Sequence, residues 1–286
     1  MGLLEEETSP RGFSITGKIP ILLTLKRTED LKPHEGTVQE DLDGIVRTLQ
    51  KDPILRHPII ADSITGAVLD GTHRLAALKE LGCLTIPAAL IDYQNPLVVV
   101  DRWFRTIKGT SLRDIVKRVD ELSPIRMSVS EADKSLLARS CYATLSDSRE
   151  CFAFKSKDST PIDLYRHAFA LEQITREHHS KVAYTDNGIM KDLSESSVLM
   201  STIRLEKGEV VDSCLKGLLF PPKSTRHLIP SRPLGVGVPL RWLRNADMKE
   251  AETEFEKHLR AMTVRRLPEG SMVGSRRYME EVFLFE

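Results

Sequence analysis

The segment Val68-Leu-Asp-Gly-Thr-His-Arg74 constrains the fold more than any other part of this chain. An apolar run ends at Asp70, Gly71 permits a sharp turn, and apolar residues at helical spacing follow, which predicts a strand, a tight turn and a helix. The first turn of a helix and its dipole favour an anion. We therefore expect a phosphate-binding turn formed by Gly71, Thr72, His73 and Arg74.

The charged residues of this turn admit more than one interpretation. Arg74 can bind two phosphate oxygens at once, and His73 can donate a further hydrogen bond. Asp70 has the wrong charge for a phosphate contact, which suggests that it coordinates Mg²⁺ or orients a neighbour. The alternative is that Asp70 or Thr72 caps the helix while Arg74 forms an ion pair on the surface.

Two other segments carry candidate chemistry. Glu35, in Lys32-Pro-His-Glu35, lies just before a predicted helix and could be a general base, although most such glutamates only favour the helix dipole. The segment Lys223-Ser-Thr-Arg-His227 places two cations, two hydroxyls and an imidazole together. Such a group suits a small anion, and the apolar residues around it indicate an anchored binding loop rather than a solvated basic loop.

Hydrophobic periodicity predicts a mixed α/β fold. We expect a flexible tail over residues 1–18, a compact first domain over 19–105, and a second domain over 106–286. In the first domain Pro87 suggests that its strand lies at a sheet edge. The predicted strands cover residues 20–25, 58–62, 67–69, 85–91, 181–184, 198–205 and 278–285, and the predicted helices cover 37–52, 73–81, 112–122, 131–139 and 160–177.

The composition is that of an ordinary globular protein, with 41% hydrophobic and 29% charged residues. Forty-one basic residues balance 41 acidic ones, so no whole-chain positive field attracts nucleic acid. No apolar run approaches the ~20 residues that span a bilayer, and the acidic N-terminus lacks a signal pattern. We expect a cytoplasmic protein without a membrane partner. Its four scattered cysteines predict neither a zinc site nor a disulfide framework.

The motifs together resemble the ParB/sulfiredoxin-like superfamily. The resemblance rests on Leu31-Lys-Pro-His-Glu35, on the turn at 70–74 with the helix that follows, and on Ile86-Pro87. Within that superfamily, Lys-Pro-His-Glu, Trp103 and Pro-Pro-Lys-Ser-Thr-Arg-His look like the free L-serine kinases. The similarity is strong over residues 20–105 and clear over 216–243.

The resemblance implies an enzyme that makes O-phospho-L-serine from L-serine, with ADP or ATP as the donor and Mg²⁺ as a cofactor. Glu35 would activate the serine hydroxyl, and Asp70 would assist catalysis. The turn at 71–74 would hold the nucleotide phosphates, in a cleft shared with the second domain. The serine-binding residues would be Trp103, Lys223, Ser224, Thr225, Arg226 and His227.

The chain departs from its relatives at one informative position. Thr72 occupies the place where the kinases usually have His and the sulfiredoxins a catalytic Cys, which argues against sulfinic-acid reduction. A second hypothesis is a ParB-like regulator that binds DNA in a nucleotide-dependent way, but no helix-turn-helix is evident in the sequence. Neither the donor nucleotide nor the fate of the phosphoserine, in cysteine biosynthesis or elsewhere, can be read from these motifs.

Overall fold

The computed structural model describes residues 12–158, 160–176, 181–186, 188, 197–274 and 276–286. The described residues form two compact units. Unit 1 contains residues 12–99, 214–217 and the described part of 227–286, and unit 2 contains the described part of 100–213 together with 218–226. Unit 1 thus includes the last sixty residues of the chain, which the predicted division had placed in the second domain.

The first part of unit 1 alternates strands and helices, and this confirms the predicted mixed α/β class. Its elements are β1 (Phe13–Thr16), β2 (Pro20–Arg27), β3 (Lys32–Pro33), α1 (Gln39–Lys51), β4 (Ile54–Leu55), β5 (Ile59–Asp62), β6 (Ala67–Asp70), α2 (Thr72–Glu80), β7 (Thr85–Ile91) and β8 (Val99–Asp101), which continues into unit 2.

The elements that follow belong to unit 2 and to the end of unit 1. They are β9 (Phe104–Lys108), α3 (Leu112–Arg118), β10 (Ile125–Met127), α4 (Val129–Leu137), β11 (Ala143–Ser146), β12 (Cys151–Phe154), α5 (Pro161–Arg176), β13 (Lys181–Thr185), β14 (Val198–Thr202), α6 (Lys207–Leu215), β15 (Arg226–Leu228), β16 (Arg232–Leu234), β17 (Val238–Pro239), α7 (Leu240–Leu243), α8 (Met248–Ala261), β18 (Val264–Leu267), β19 (Met272–Val273), β20 (Arg276–Arg277) and β21 (Val282–Phe285).

Unit 1 is built on a six-stranded sheet in the order β1-β2-β7-β5-β6-β3. The strands β5 and β6 form an antiparallel hairpin, and α2 packs its apolar side, including Leu75 and Leu78, into the core. The end of the chain adds a smaller sheet in the order β16-β21-β18. In addition, β17 pairs with β4, and this pairing explains why residues 227–286 belong to the first unit.

Two expectations for unit 1 need correction. The predicted tail includes residues 13–16, but these form β1 and pair with β2, whereas residues 1–11 lie outside the described part. The strand containing Pro87 is central, because β7 lies between β2 and β5. The fold tolerates the missing N–H because pairing with β5 begins at Ala88, one residue further on.

Unit 2 is built on a second six-stranded sheet, in the order β10-β12-β11-β14-β9-β13. Its core includes Ile107, Leu145, Phe154 and Met200, none of which exposes any surface. The helix α5 packs beside this sheet through buried residues that include Leu164 and Leu171. None of the helices in the described part of the chain combines the length and the apolar character that crossing a bilayer requires.

Candidate functional site

Glu35 lies just after β3, and Asp70 is the last residue of β6, the parallel neighbour of β3 in unit 1. In that ladder Lys32 pairs with Ala67 and Pro33 with Val68, so each carboxylate comes two residues after the last pair. Because the carboxyl ends of parallel strands meet at one sheet edge, the fold brings the two acids to the same place. In open α/β sheets this edge is the usual position of a ligand site. In the sequence Glu35 and Asp70 belong to separate motifs, and the pairing of β3 with β6 brings them to the same sheet edge.

Gly71 caps the helix α2 in a left-handed conformation, with φ 105°. A Cβ atom at this position would lie 2.6 Å from Cγ2 of Ile59, so no larger residue fits. The turn therefore has the predicted strand, glycine and helix arrangement. A second glycine ends the helix, because Gly82 has φ 70° and the N–H of Cys83 donates to the carbonyl of Leu78.

Arg74 directs its guanidinium group to protein acceptors. It donates to the carbonyl oxygens of His57 (3.2 Å) and Pro58, and to Oδ1 of Asp70 at 3.1 Å. The Arg74 side chain is only 20% exposed, so its contact with Asp70 is not the surface ion pair of the alternative interpretation. In this structure Arg74 braces the turn, so its proposed contact with phosphate would have to use its remaining donor capacity or a rearranged side chain.

Asp70 also pairs with Arg232, a residue that the sequence analysis did not identify. The buried Arg232 donates from its Nη1 atom to Oδ2 of Asp70 and from Nε to Oε1 of Glu280 at 2.7 Å. Burial alone would raise the pKa of Asp70, but Arg74 and Arg232 outweigh that effect and hold the pKa well below its ordinary value. Asp70 is therefore a carboxylate fixed between two guanidinium groups.

This environment does not fit the predicted Mg²⁺ role of Asp70. Both of its oxygens accept hydrogen bonds from arginines, Oδ1 from Arg74 and Oδ2 from Arg232. Within the described ranges there is no group of three histidine, cysteine or acidic residues that could hold a metal ion. Since Mg²⁺ commonly binds through one or two carboxylates and the phosphates of a substrate, these residues alone do not form a magnesium site.

His73 connects the turn to the helix α1. Its Nε2 atom accepts a hydrogen bond of 2.9 Å from the N–H of Val38, the residue that precedes α1. The helix α1 begins at Gln39, two residues after the predicted start, and its cap residue Val38 makes no side-chain capping bond. Thr72 is half-buried in the first turn of α2. Consequently His73 has a structural contact that its sequence context did not indicate.

Two histidines lie behind Glu35. His34 is 1% exposed, and its Nδ1 atom lies 2.8 Å from the carbonyl of Val68, while its Nε2 atom lies 3.5 Å from Oε1 of Glu35. The ring of His227 packs edge-on against it, with centroids 5.5 Å apart. Burial, together with the nearby His34, holds the pKa of His227 well below its ordinary value, so this ring is neutral.

Tyr93 completes this cluster in unit 1. Burial raises the pKa of Tyr93 far above its ordinary value, so its hydroxyl keeps its proton, and it forms a hydrogen bond of 2.8 Å with Nε2 of His227. Because His227 is buried and already paired with Tyr93, it contributes to the core behind Glu35. The structure thus separates His227 from residues 223–226, which belong to unit 2.

The other predicted serine-binding residues gather in unit 2. Arg226 lies over the ring of Trp103, 5.5 Å from its centroid, and donates to Asp186 at 2.7 Å. The Nζ atom of Lys223 lies 5.9 Å from the centre of the Tyr184 ring. Each of the two cations of this loop therefore lies against an aromatic ring of unit 2.

Ser224 and Thr225 are interior residues of this loop. Ser224 is fully buried and its hydroxyl donates to the carbonyl of Pro221 at 2.6 Å. Thr225 is 4% exposed. The buried Arg105 donates to the carbonyl of Lys223 at 3.2 Å, and the hydroxyl of Tyr165 donates to the carbonyl of Ser224 at 2.8 Å. These contacts fix the shape of the loop and so present Lys223 and Arg226.

A separate cavity of about 1070 Å³ lies in unit 2. Its walls come from α4 and from one face of the sheet, where they include Phe104, Thr144, Leu199 and Ser201. None of the residues predicted to bind serine lines it. The cavity is therefore distinct from the loop at 223–226.

Several known proteins are similar to this chain in sequence or in fold. No family model matches the chain. A ParB-like protein of Sulfolobus acidocaldarius is 31% identical over 205 residues, covering 70% of this chain and 87% of that protein. An ATP-dependent L-serine kinase of Staphylothermus marinus is 26% identical over 240 residues, covering 79% of this chain and 91% of the kinase.

A solved structure extends the likeness to the fold. A free serine kinase in complex with ADP superposes with a TM-score of 0.65 at 23% identity, covering 77% of this chain and 93% of that one. The fold and the likeness to the Sulfolobus acidocaldarius protein together define the class of this chain. This chain belongs to the ParB-like family.

Proposed function

We propose that this chain transfers a phosphoryl group from ADP or ATP to the hydroxyl of free L-serine and so forms O-phospho-L-serine. The observation that carries the proposal is the position of Glu35 beside the glycine-capped turn, at the carboxyl ends of β3 and β6. A base next to a phosphate-binding turn is what transfer to a hydroxyl requires. The names of the two kinases, one ATP-dependent and one holding ADP, support the donor class.

In the proposed reaction Glu35 is the general base. One of its carboxylate oxygens takes the proton of the serine hydroxyl, and the serine oxygen attacks the terminal phosphorus of the donor. The bond from that phosphorus to the bridging oxygen breaks, and the shortened nucleotide leaves with the electron pair. General-base catalysis typically contributes about 10²–10⁴-fold.

The turn at 71–74 is proposed to hold the donor phosphates. The backbone of Gly71 allows close approach, and the first turn of α2 supplies N–H groups and the positive end of a helix dipole. Phosphoryl transfer depends mainly on such positioning and charge stabilisation. Asp70 would assist by keeping Arg74 in place, since the two are joined directly.

Unit 2 is proposed to bind the serine. Lys223 and Arg226 provide positive charge for its carboxylate, and Trp103 provides an aromatic wall beside Arg226. Ser224 and Thr225 maintain the loop, and His227 supports the region behind Glu35. Mg²⁺ would bind mainly through the phosphate oxygens of the nucleotide, and no step above is assigned to it.

Direct product formation tests this function. The purified protein is incubated with L-serine, Mg²⁺ and either ATP or ADP, and O-phosphoserine is measured by mass spectrometry. We expect product with at least one donor, and a loss of about 100-fold or more in Glu35→Gln. Glu29→Gln, whose side chain is 72% exposed, is the matched control and should keep the activity. Absence of product with both donors, or full activity of Glu35→Gln, would refute the proposal.

A further inference from the structure

The neighbouring strands β11 and β14 supply a polar wall of the cavity in unit 2. Their pairing sets Thr144 opposite Ser201 and Ser146 opposite Leu199, and all four residues line the cavity. Because successive side chains of a strand point to opposite faces, these residues form one face of the sheet. A sheet face that packs against the core is ordinarily apolar, whereas three of these four residues carry hydroxyl groups. This wall therefore suits a ligand with polar groups.

The helix α4 supplies an apolar wall. Val129, Ala132, Leu136 and Leu137 line the cavity at the spacing of a single helical stripe. Val129 and Leu137 remain exposed although they are large and apolar. The cavity volume of about 1070 Å³ is sufficient for a small molecule, since ligand pockets commonly enclose about 300–1,000 Å³. A ligand with an apolar part can therefore lie against α4.

Six charged side chains of the described residues line the cavity, and three of them have partners within the protein. These are Arg139 with Glu209, Arg204 with Asp101, and Asp147 with two backbone N–H groups of its own turn. The other three are Arg102, Asp133 and Glu206, and none of them forms an ion pair within the described ranges. One cation and two anions thus remain for a ligand.

Arg102 is the cation of this set. Its half-buried side chain lies over the ring of Phe104, 5.0 Å from the centroid, and donates from Nη1 to the carbonyl of Thr202. Its Nε atom is buried and has no hydrogen-bond partner in the part of the chain that the structure describes. Because a guanidinium group has five N–H donors in a fork that matches a carboxylate, Arg102 retains donors for the carboxylate of a ligand.

Asp133 places a negative charge near Arg102. Burial lowers the pKa of Arg102 and the charge of Asp133 opposes that shift, so the two groups are close although they form no ion pair. A purely anionic ligand would meet Asp133 and Glu206, and a purely cationic ligand would meet Arg102. A molecule that carries a carboxylate and an ammonium group avoids both conflicts.

We propose that the cavity in unit 2 binds a free α-amino acid with an apolar side chain. The carboxylate of the amino acid pairs with Arg102, its ammonium group pairs with Asp133, and its side chain packs against Leu136 and Leu199. This ligand is additional to the serine of the proposed reaction, because none of the residues predicted to bind serine lines the cavity. The proposal does not depend on the kinase function.

Calorimetric titration of the full chain tests the site with probes that differ only in charge. L-Phenylalanine and L-leucine carry both groups, 3-phenylpropanoate lacks the ammonium group, and phenethylamine lacks the carboxylate. We expect the two amino acids to bind with a Kd between about 10 µM and about 1 mM. Each analogue should bind about tenfold more weakly or worse, because one charged contact is lost.

Variants assign each charge to its residue. Asp133→Asn should weaken L-phenylalanine binding by about tenfold but leave 3-phenylpropanoate binding unchanged, because that probe has no ammonium group. Asp120→Asn removes another exposed aspartate of unit 2, one that does not line the cavity, and should bind every probe as the wild type does. Arg102→Gln should remove the advantage of L-phenylalanine over phenethylamine. Since Asp133 is exposed, its variant should fold even where Arg102→Gln does not.

Three results would overturn the proposal. They are no binding of either amino acid, equal affinity for L-phenylalanine and its two analogues, and wild-type affinity in Asp133→Asn. Binding that is lost in Arg226→Gln but kept in Asp133→Asn would place the amino acid at the loop of residues 223–226 and would also overturn it. A wild-type protein that forms no phosphoserine would refute the proposed function alone, since these titrations do not measure turnover.

Discussion

At the scale of single residues, Gly71 and Asp70 define the geometry of the turn. Gly71 has a backbone conformation that other residues adopt at a cost, and a side chain there would overlap Ile59. Asp70 is held from two sides by guanidinium groups, one four residues away and one 162 residues away. The first constraint can be read from the sequence, because a glycine between a strand and a helix is a familiar signal. The second requires the tertiary structure.

Gly71→Ala should lower the free energy of unfolding by about 2–3 kcal/mol, since it combines left-handed strain with steric overlap. The matched control is Gly82→Ala, which has a similar positive φ but open space around its Cβ position, and should cost about 1 kcal/mol. Urea denaturation measures both. Equal losses in the two variants would show that the contact with Ile59 is unimportant.

The ion pairs of Asp70 predict a pH-dependent contribution to stability. Its pKa is lower in the folded than in the unfolded protein, so the folded state binds fewer protons and stability increases with pH. The contribution is complete above the unfolded value of about 3.9 and is lost as the pH falls below it. The difference in urea midpoint between wild type and Asp70→Asn should therefore narrow as the pH falls from about 4 toward about 2. A constant difference would contradict this.

At the scale of elements, a buried ion pair joins α5 to the sheet of unit 2. Arg105 of β9 is 2% exposed and donates from Nε to Glu172 of α5, which is fully buried, at 2.9 Å. Glu172 also accepts from Arg176 and from the hydroxyl of Tyr184. Although burial alone would raise the pKa of Glu172, these donors lower it. Because Arg105 also contacts the carbonyl of Lys223, this pair supports the proposed serine loop.

Removing only one partner of this pair should be more harmful than removing both. Glu172→Leu leaves the Arg105 guanidinium buried without its carboxylate and should cost about 3–5 kcal/mol, whereas adding Arg105→Met should recover part of that loss. Fluorescence of Trp103 during urea denaturation, in a Trp242→Phe background, would report it. A double variant less stable than Glu172→Leu would contradict the argument.

The exposed pair of Arg260 and Glu256 provides the control for that experiment. The arginine side chain is 64% exposed, and the pair lies one helical turn apart on α8. Glu256→Gln should change stability by no more than about 0.5 kcal/mol. The comparison therefore measures the effect of burial on a similar contact.

The sequence predicted the elements better than it predicted their partners. Apolar spacing located α2 and α5 closely, because the helix repeat is a local property. The interpretation of Pro87 as a sign of a sheet edge was wrong, since strand order depends on pairing between distant segments. Arg232 and Glu280 were not identified from the sequence for the same reason. Each is an ordinary charged residue until the fold brings it to Asp70.

At the scale of the whole molecule, the proposed chemistry is divided between two compact units. Unit 1 carries Glu35 and the turn that is proposed to bind phosphate, and unit 2 carries Trp103 and the loop at 223–226. Each unit combines segments that are far apart in the sequence, and local signals could not predict that combination. The candidate site residues themselves could be selected from the sequence, because glycine, acids and clustered cations are recognisable without coordinates.

The balance of charge over the whole chain makes a further prediction about partners. Forty-one basic and 41 acidic residues give no net field toward a polyanion. The anisotropy of a labelled 20-base-pair duplex should stay constant up to about 10 µM protein at roughly 150 mM salt, with or without nucleotide. Binding that weakens steeply with added salt would support a ParB-like DNA-binding regulator instead.

The distance in sequence between Asp70 and Arg232 also bears on how the protein is made. A ribosome adds about 5–20 residues per second, so Arg232 emerges roughly 10–30 s after Asp70. Glu280, which fixes Arg232, follows a further 48 residues later. During that interval the nascent turn has Arg74 but lacks its second guanidinium partner. The nascent chain should therefore complete the contacts of Asp70 only after Glu280 has been added.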